Sequence, residues 1–277
     1  MRFNCLAVSM VVVATMAGVA LATPVEFFNV TFDDVEVPAG EFASVPTAPA
    51  VAGGTSTMAT YVRDAGQATV KVHEQFVDSS NSNVLGGNGD NVVIMDSHGT
   101  YNRVEFTVAE TDRPVSGLVT ISLNALFDSG NQSGVNYVYF SMYNQNNAKL
   151  GDFRFRQDTG EILATEFGSA GDKGDEATFD SATWSLGEVL DISIVLDLDQ
   201  NTASLLINDT LFAGGLTDGD YSLDLADGVG FGGFAIQNAS NAVACHAIDN
   251  VVIGLVPEPG TMSLVISGAA VLLRKRR

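Results

Sequence analysis

The amino-acid sequence predicts an all-β fold, a sandwich or a barrel of antiparallel strands. Between positions 23 and 255, short apolar or alternating runs recur about every ten to fifteen residues. Gly, Asn, Asp and Ser separate these runs, and no long apolar stripe with a period of 3.6 residues interrupts them. The runs predicted to be strands are 27–32, 57–62, 68–76, 91–96, 102–108, 117–127, 137–143, 151–157, 161–167, 189–197, 203–208, 233–238 and 247–254.

The breaks between these runs indicate turns and loops. Asp158-Thr159-Gly160 lies between two predicted strands, and residues 199–202 (DQNT) lie between two more. Such residues tolerate tight-turn dihedrals, so neighbouring strands are expected to pair antiparallel. The Pro-, Ala- and Gly-rich segment 37–56 is predicted to be a long surface loop, and the acidic segment 171–180 a solvated loop. Residues 23–255 are then expected to form a single domain.

The N-terminal segment, residues 1–22, is predicted to be a secretory signal peptide. Arg2 precedes an apolar run, and the small residues Ala20 and Ala22 mark the expected cleavage point. This segment would be a helix that is removed on export through the general secretion machinery. A retained membrane helix is the alternative.

Charge excludes one class of partner. The chain has 33 acidic and 13 basic residues, of which 32 acidic and 8 basic residues lie between positions 23 and 256. A surface of this sign repels nucleic acid and anionic lipid headgroups and favours solubility and cations. The sequence therefore predicts no nucleic-acid partner.

Cysteine content limits how the fold is stabilised. Cys245 is the one cysteine left after removal of the signal peptide, so no intrachain disulfide is expected. It lies in an apolar, strand-like run, where the prediction is a small buried hydrophobe and not a reactive thiol.

The C-terminal segment, residues 256–277, has three parts. A motif of four residues comes first, then 13 uncharged and mostly apolar residues (261–273), then four basic residues (274–277). As a helix, the apolar part would span about 20 Å, short of the hydrocarbon layer of about 30 Å. The basic residues resist translocation, so the pattern predicts transient membrane insertion, with a plain membrane helix as the alternative. The motif is Val256, Pro257, Glu258 and Pro259.

This tail resembles the PEP-CTERM sorting signal of Gram-negative bacteria, which is also labelled the ice-binding protein C-terminal domain. Gly260 stands where Ser or Ala is common in that signal. The resemblance implies cleavage near the Pro-Glu-Pro motif by an exosortase. It also implies release or attachment at the outer cell surface or in the extracellular polysaccharide matrix. Ice binding is implied by the label alone, because the sequence has no regular Thr-x-Thr ladder.

A second resemblance concerns the body of the chain. Residues 184–212 resemble laminin-G-like and concanavalin A-like jelly rolls: a Trp enters a strand, a hairpin follows, and an Asn-Asp turn precedes the next strand. The opening TFDDV and the closing AIDNVVIG fit the same family. The resemblance implies an antiparallel two-sheet β-sandwich, a jelly roll, in which two curved sheets enclose the core and the first and last strands lie side by side.

Catalytic motifs are missing from the sequence. Glycosidases of this fold need clustered carboxylates, and Glu188 and Asp191 have no third acid in register. His73, His98 and His246 lie in no nucleophile motif, and the zinc pattern His-Glu-x-x-His does not occur. The sequence thus predicts no catalytic residue and a protein that is not an enzyme. A polysaccharide-cleaving enzyme with unrecognised carboxylates is the alternative.

No metal site or cofactor is predicted, although the acidic surface leaves a structural calcium ion open. Asp197-x-Asp199-x-Asn201 begins like an EF-hand loop. Thr202 occupies the position that requires Gly, and Asn208 the position that requires Glu, so the motif fails and a hairpin turn explains it.

One strand carries the candidate ligand-binding side chains. In the run NYVYFSMYNQ, alternation places Tyr137, Tyr139 and Tyr143 on one side, opposite the apolar residues that claim the core. If 151–157 is the neighbouring strand, Arg154 and Arg156 join the tyrosines. Aromatic rings with hydroxyls and Arg forks suit a polysaccharide. Ordinary cross-strand packing is the alternative.

Together these features predict an exported structural or carbohydrate-binding protein whose partners are an exosortase and extracellular polysaccharide. Two other functions stay open. One is a secreted polysaccharide-cleaving enzyme, and the other is an adhesion or ice-contacting surface protein.

Overall fold

Two β-sheets pack face to face in the computed structural model of this chain. The structure describes residues 25–38, 41, 43–45, 56–62, 69–98, 101–130, 136–167, 173–179, 184–212, 221–222, 230–238 and 243–256. The strands within these residues are β1 (Val25–Val30), β2 (Ala43–Ser44), β3 (Thr57–Val62), β4 (Thr69–His73), β5 (Gln75–Val77), β6 (Val84–Gly86), β7 (Val92–His98), β8 (Asn102–Thr107), β9 (Leu118–Phe127), β10 (Tyr137–Asn144), β11 (Lys149–Arg156), β12 (Ile162–Phe167), β13 (Lys173–Phe179), β14 (Val189–Asp197), β15 (Thr202–Ile207), β16 (Thr210–Phe212), β17 (Tyr221–Ser222), β18 (Phe231–Asn238) and β19 (Val243–Val256).

The strand order places distant parts of the sequence side by side. One sheet has the order β16-β15-β14-β9-β19-β7-β4-β2, with β1 paired to β19 and β17 paired to β15. The second sheet has seven strands in the order β13-β12-β11-β10-β18-β8-β3. Neighbours run antiparallel, including β10 with both β11 and β18, and β14 with β9. The first and last described strands are therefore side by side, as the jelly-roll resemblance implies.

The predicted all-β antiparallel sandwich is confirmed. Each run predicted to be a strand overlaps an observed strand, although 68–76 divides at Glu74 into β4 and β5. Residues Glu26–Leu255 form one compact unit. The two predicted helices, the signal segment 1–22 and the apolar tail segment 261–273, lie outside the described residues. Among the described residues, no helix has the length and apolar character needed to cross a membrane.

Two predicted loops contain strands. The acidic segment 171–180 contains β13, which pairs with β12 at the edge of the seven-stranded sheet. The segment 37–56 contains the two-residue β2, which pairs with β4 at the edge of the larger sheet. Edge strands tolerate charged residues and can be very short, because one side has no neighbouring strand. Composition therefore concealed these two strands. The prediction of a loop at 171–180 was wrong, because Lys173–Phe179 form a strand, whereas the long loop at 37–56 stays a prediction.

An aromatic layer between the sheets holds them together. Phe127 of β9 lies 5.4 Å from the ring of Phe155 of β11, on the opposite sheet, and 5.6 Å from Trp184. At another point, Phe28 of β1 meets Phe106 of β8 at 5.5 Å. All four phenylalanines are fully buried. Burying an aromatic side chain removes about 150–250 Å² of surface from water, which is among the largest areas that one side chain can contribute to a core.

A smaller cluster lies on the outer surface of the larger sheet. The β5–β6 hairpin places Phe76 and Leu85 over Val92 and Leu126, and Cys245 packs against the same cluster. Burial raises the pKa of the Cys245 thiol, so the side chain stays uncharged. The sequence predicted a small buried hydrophobe, and the structure shows a partly buried side chain packed against apolar residues.

Two fully buried titratable side chains lie on β19. His246 faces the core with its ring 5.7 Å from that of Phe127, and among the described residues neither ring nitrogen has a hydrogen-bond partner. Burial lowers the pKa of His246 from 6.5 to about 3. Burial also raises the pKa of Asp249 from 3.8 to about 7, an effect increased by the nearby Asp90 and Asp33 carboxylates.

These two groups should give opposite pH dependences of stability. Between about pH 4 and 6.5, unfolding lets His246 take up a proton, whereas it makes Asp249 release one. We expect Asp249→Asn to make the loss of stability on acidification steeper, by up to about 1.4 kcal/mol per pH unit for one proton. His246→Gln should change the slope in the opposite direction. Urea unfolding from pH 4 to 6.5 measures both, and slopes equal to that of the unmodified protein would contradict the two shifts.

Candidate functional site

The outer surface of the seven-stranded sheet carries the predicted tyrosine row. On β10, Val138 and Phe140 point into the core and are fully buried. Tyr137, Tyr139 and Tyr143 lie on the opposite side and are partly exposed. The alternation follows from β geometry, because side chains one residue apart point to opposite sides of a sheet.

The two predicted arginines lie beside this row. Strand β11 pairs with β10 so that Arg154 is opposite Tyr139 and Arg156 is opposite Tyr137. The guanidinium carbon of Arg154 is 5.2 Å from the ring centre of Tyr139, and that of Arg156 is 5.9 Å from the ring centre of Tyr137. Cations at this distance from a ring face are attracted by its electrons. The structure thus brings the five predicted residues onto one surface, here called the tyrosine–arginine face: Tyr137, Tyr139, Tyr143, Arg154 and Arg156.

Carboxylates fix the cations over the rings. Asp152 is fully buried, and its two oxygens accept hydrogen bonds from Lys149 Nζ at 2.9 Å and Arg154 Nε at 2.7 Å. Lys149 Nζ also lies 5.7 Å from the ring centre of Tyr139. Hydrogen bonds of this kind, with both partners charged, are about twice as strong as neutral ones, so they hold the cations in place.

Further residues of the face come from β8 and β18, and the sequence reasoning missed them. The Arg103 guanidinium lies 4.8 Å from the ring centre of Tyr143 and forms a 2.8 Å ion pair with Glu105. Tyr101 donates a hydrogen bond to Gln237 Oε1 at 2.9 Å. The sequence did contain a sign that they face outward, because alternation in NRVEFTV places Arg103 and Glu105 on the side opposite the buried apolar residues. Their position near Tyr143 depends on the strand order β10-β18-β8.

A cavity of about 300 Å³ opens at the Tyr143 end of the face. Gly233 of β18 lies between Tyr143 and Thr107 of the neighbouring strands, and a Cβ atom there would overlap with the carbonyl oxygen of Phe106. At Gly232, a Cβ atom would overlap with the carbonyl oxygen of Asn144, so the backbone approach there requires glycine. The cavity is lined by Glu105, Thr107, Arg113, Tyr143, Asn144, Asn147, Gly232 and Gly233.

Tyr143 and Arg113 contribute a phenol and a positive charge to the cavity. Burial raises the pKa of Tyr143, and the Arg103 charge above its ring opposes the rise. The phenol therefore keeps its proton near neutral pH. Arg113 donates hydrogen bonds to the carbonyl oxygens of Val108 at 3.0 Å and Gln145 at 2.6 Å.

Asp197 and Asp199, which were considered for a calcium site, accept hydrogen bonds from backbone amides. Asp197 Oδ1 accepts hydrogen bonds from the amides of Asp199 and Gln200, which closes the β14–β15 turn. Asp199 Oδ2 accepts one from the amide of Gly117. Within the described ranges, no group of three or more His, Cys, Asp or Glu side chains has the geometry to hold a metal ion.

The predicted sorting elements lie almost entirely outside the described residues. Val256 is the last residue of β19. The other residues of these elements, Ala20, Ala22, Pro257, Glu258 and Pro259, fall outside the described ranges.

Comparisons agree with a β-sandwich of the jelly-roll type. No protein-family model matches the chain. No curated protein matches it either. The carbohydrate esterase from the Shiga toxin-encoding bacteriophage phi24B gives a TM-score of 0.50 at 9% identity, over 84% of this chain and 100% of that one. This likeness concerns the fold.

Two other solved structures give lower TM-scores. Alginate lyase A1-II', of polysaccharide lyase family-7, gives 0.46 at 12% identity over 67% of this chain and 85% of that one. A sialidase gives 0.44 at 11% identity over 65% of this chain. The match spans 16% of the sialidase. All three of these structures carry the names of carbohydrate-active proteins.

These comparisons correct the prediction that the chain is not an enzyme. The phage protein that shares the fold over its whole length is named a carbohydrate esterase. The prediction relied on missing sequence motifs. Catalytic groups on a sheet surface come from strands that are distant in sequence, so a missing motif does not exclude an enzyme, and the prediction was wrong.

Proposed function

We propose that the tyrosine–arginine face binds a polysaccharide chain. The observation that carries this proposal is the row of three partly exposed tyrosine rings along one strand, each with a cation beside it. From Tyr137 to Tyr143 the strand rises by about 20 Å, at about 3.3 Å per residue. A row of this length suits an extended polymer better than a small molecule.

The chemistry of the face matches that of sugars. The rings of Tyr137 and Tyr139 lie 5.9 Å apart and offer flat apolar surfaces for the apolar faces of sugar rings. The guanidinium groups of Arg154 and Arg156 offer donors to sugar hydroxyls. Since Asp152 holds Arg154 in place, little side-chain entropy is lost when a ligand binds.

Tyr139 is the central ring, and its removal tests the proposal. We expect Tyr139→Ala to abolish or strongly reduce binding on a polysaccharide and glycan array, because stacking is lost and Lys149 and Arg154 lose their platform. Tyr139→Phe is the matched control, since it keeps the ring and should retain most of the binding. If the unmodified protein binds no glycan, or if Tyr139→Ala binds as well as Tyr139→Phe, the proposal fails.

The cavity favours a second candidate function, chemical cleavage of the bound chain. Tyr143 lines the cavity at the end of the row, keeps its proton near neutral pH, and lies near Arg103 and Glu105. A protonated phenol beside a carboxylate can take part in proton transfer to a substrate.

Turnover separates binding from cleavage. Polysaccharides that bind on the array are incubated with the protein, and new chain ends are measured. If the cavity is catalytic, we expect Tyr143→Phe to lower the rate by about 100-fold or more with little change in binding, because the proton donor is lost. Absence of new chain ends from any bound polymer would remove the second candidate and leave the first.

The end segments support a proposal about location. Residues 1–22 direct export, and residues 256–277 direct sorting by an exosortase to the outer cell surface or the extracellular polysaccharide matrix. A glycan-binding face suits a protein delivered to that matrix. Intact mass spectrometry of the protein from its native host tests this. We expect a chain from Thr23 to the region of Pro257, whereas a mass that includes Arg277 would show that the tail is kept.

A further inference from the structure

We infer that the polysaccharide is anionic and that Arg113 binds its acidic group inside the cavity. This inference rests on the proposed function, because it concerns the ligand of the same face. It starts from the distribution of charge. Of the eight basic residues between positions 23 and 256, five lie on or beside this one face: Arg103, Arg113, Lys149, Arg154 and Arg156.

These cations nearly balance the carboxylates that contact them. Lys149 and Arg154 share Asp152. Arg103 pairs with Glu105, and Arg156 pairs with Asp158 and Glu161. Four cations therefore meet four carboxylates, and Arg113 adds a fifth cation. The residues from 23 to 256 as a whole, in contrast, carry 32 acidic and 8 basic residues. Counted over these five cations and four carboxylates, the face carries a slight positive charge on a strongly acidic protein, which favours an anion there.

Arg113 supplies a charge that pairs with no carboxylate among the described residues. The hydrogen bonds found for its guanidinium among the described residues go to the backbone carbonyls of Val108 and Gln145, which are neutral. The neighbouring Asp112 carboxylate is exposed and accepts a hydrogen bond from Thr111. These bonds use Nε and Nη1 of Arg113, so its position is fixed while its charge stays available at the cavity wall.

The rest of the cavity is compatible with an acidic sugar. Among the described residues that line the cavity, Glu105 is the one with a carboxylate, and its charge is balanced by Arg103 at 2.8 Å. Asn144, Asn147 and Thr107 provide neutral polar groups. Since Tyr143 lines the cavity and also ends the tyrosine row, a chain on the row can place one sugar in the cavity. A carboxylate or a sulfate on that sugar would then meet Arg113.

Paired polymers test the sign of the ligand's charge. Polygalacturonate, polyglucuronate and polymannuronate are each compared with the same polymer after reduction of its carboxyl groups. Dextran sulfate is compared with dextran, which separates sulfate from carboxylate. Binding is measured by isothermal titration calorimetry with the full mature protein. We expect at least one acidic polymer to bind about tenfold or more tightly than its neutral partner, since hydrogen bonds to charged groups are the stronger class.

Variants then locate the charge. Arg113→Gln should weaken binding of the acidic polymer about tenfold or more and leave binding of the neutral partner unchanged. Lys71→Gln, which removes an exposed base from the other sheet, is the matched control and should change neither. Because Arg113 also holds two backbone carbonyls, a second variant keeps the test independent of folding. Asn147→Asp adds a carboxylate to the cavity at a residue with φ of 63°, which Asp tolerates, and should have the same effect.

The outcomes separate this inference from the proposed function. If neutral and acidic partners bind equally, or if Arg113→Gln and Asn147→Asp leave acidic binding unchanged, the inference is overturned while polysaccharide binding stands. If no polymer binds and the glycan array is also negative, the proposed function itself fails.

Discussion

Packing of the aromatic layer between the two sheets is the constraint on which the rest of the structure depends. Phe127 meets Phe155 across the sheets, and Phe28 meets Phe106, so the side chains that face inward are fixed by the core. Because side chains alternate along a strand, a shift in register of one residue would turn these rings outward. The same constraint determines which residues face solvent. The tyrosine–arginine face is therefore a consequence of core packing.

Electrostatic interactions then fix the charged side chains on the surface that core packing leaves exposed. The chain is strongly acidic, yet four of the eight basic residues between positions 23 and 256 gather on one sheet surface, where buried or neighbouring carboxylates hold them over aromatic rings. Taking Asp152 out of water is costly, and its two cationic partners offset that cost. Fixed cations beside partly exposed rings lose little freedom on binding. The arrangement thus combines an apolar stacking surface with placed donors, which is what an amphipathic polymer such as a polysaccharide requires.

The correction about enzymatic activity has a general cause. Motif searches detect catalytic residues that are close in sequence, such as a pair of acids on one strand. On a jelly-roll surface, Arg103, Gln237 and Tyr143 belong to strands β8, β18 and β10, which become neighbours through the strand order. A sequence gives no spacing rule for such a set. Missing motifs are therefore weak grounds for excluding catalysis on this fold.

The sequence by itself determined the fold class, most strands, and the inward and outward faces of β10 and β11. It could do so because the alternation of apolar and polar residues is local, and burial of one face follows directly from it. It missed β13, an edge strand whose charged composition is typical of loops. Only the tertiary structure placed Arg103 over Tyr143 and opened a cavity above Gly233, lined by Arg113. The physical reason is that these contacts join strands distant in sequence, and their order depends on how the whole core packs.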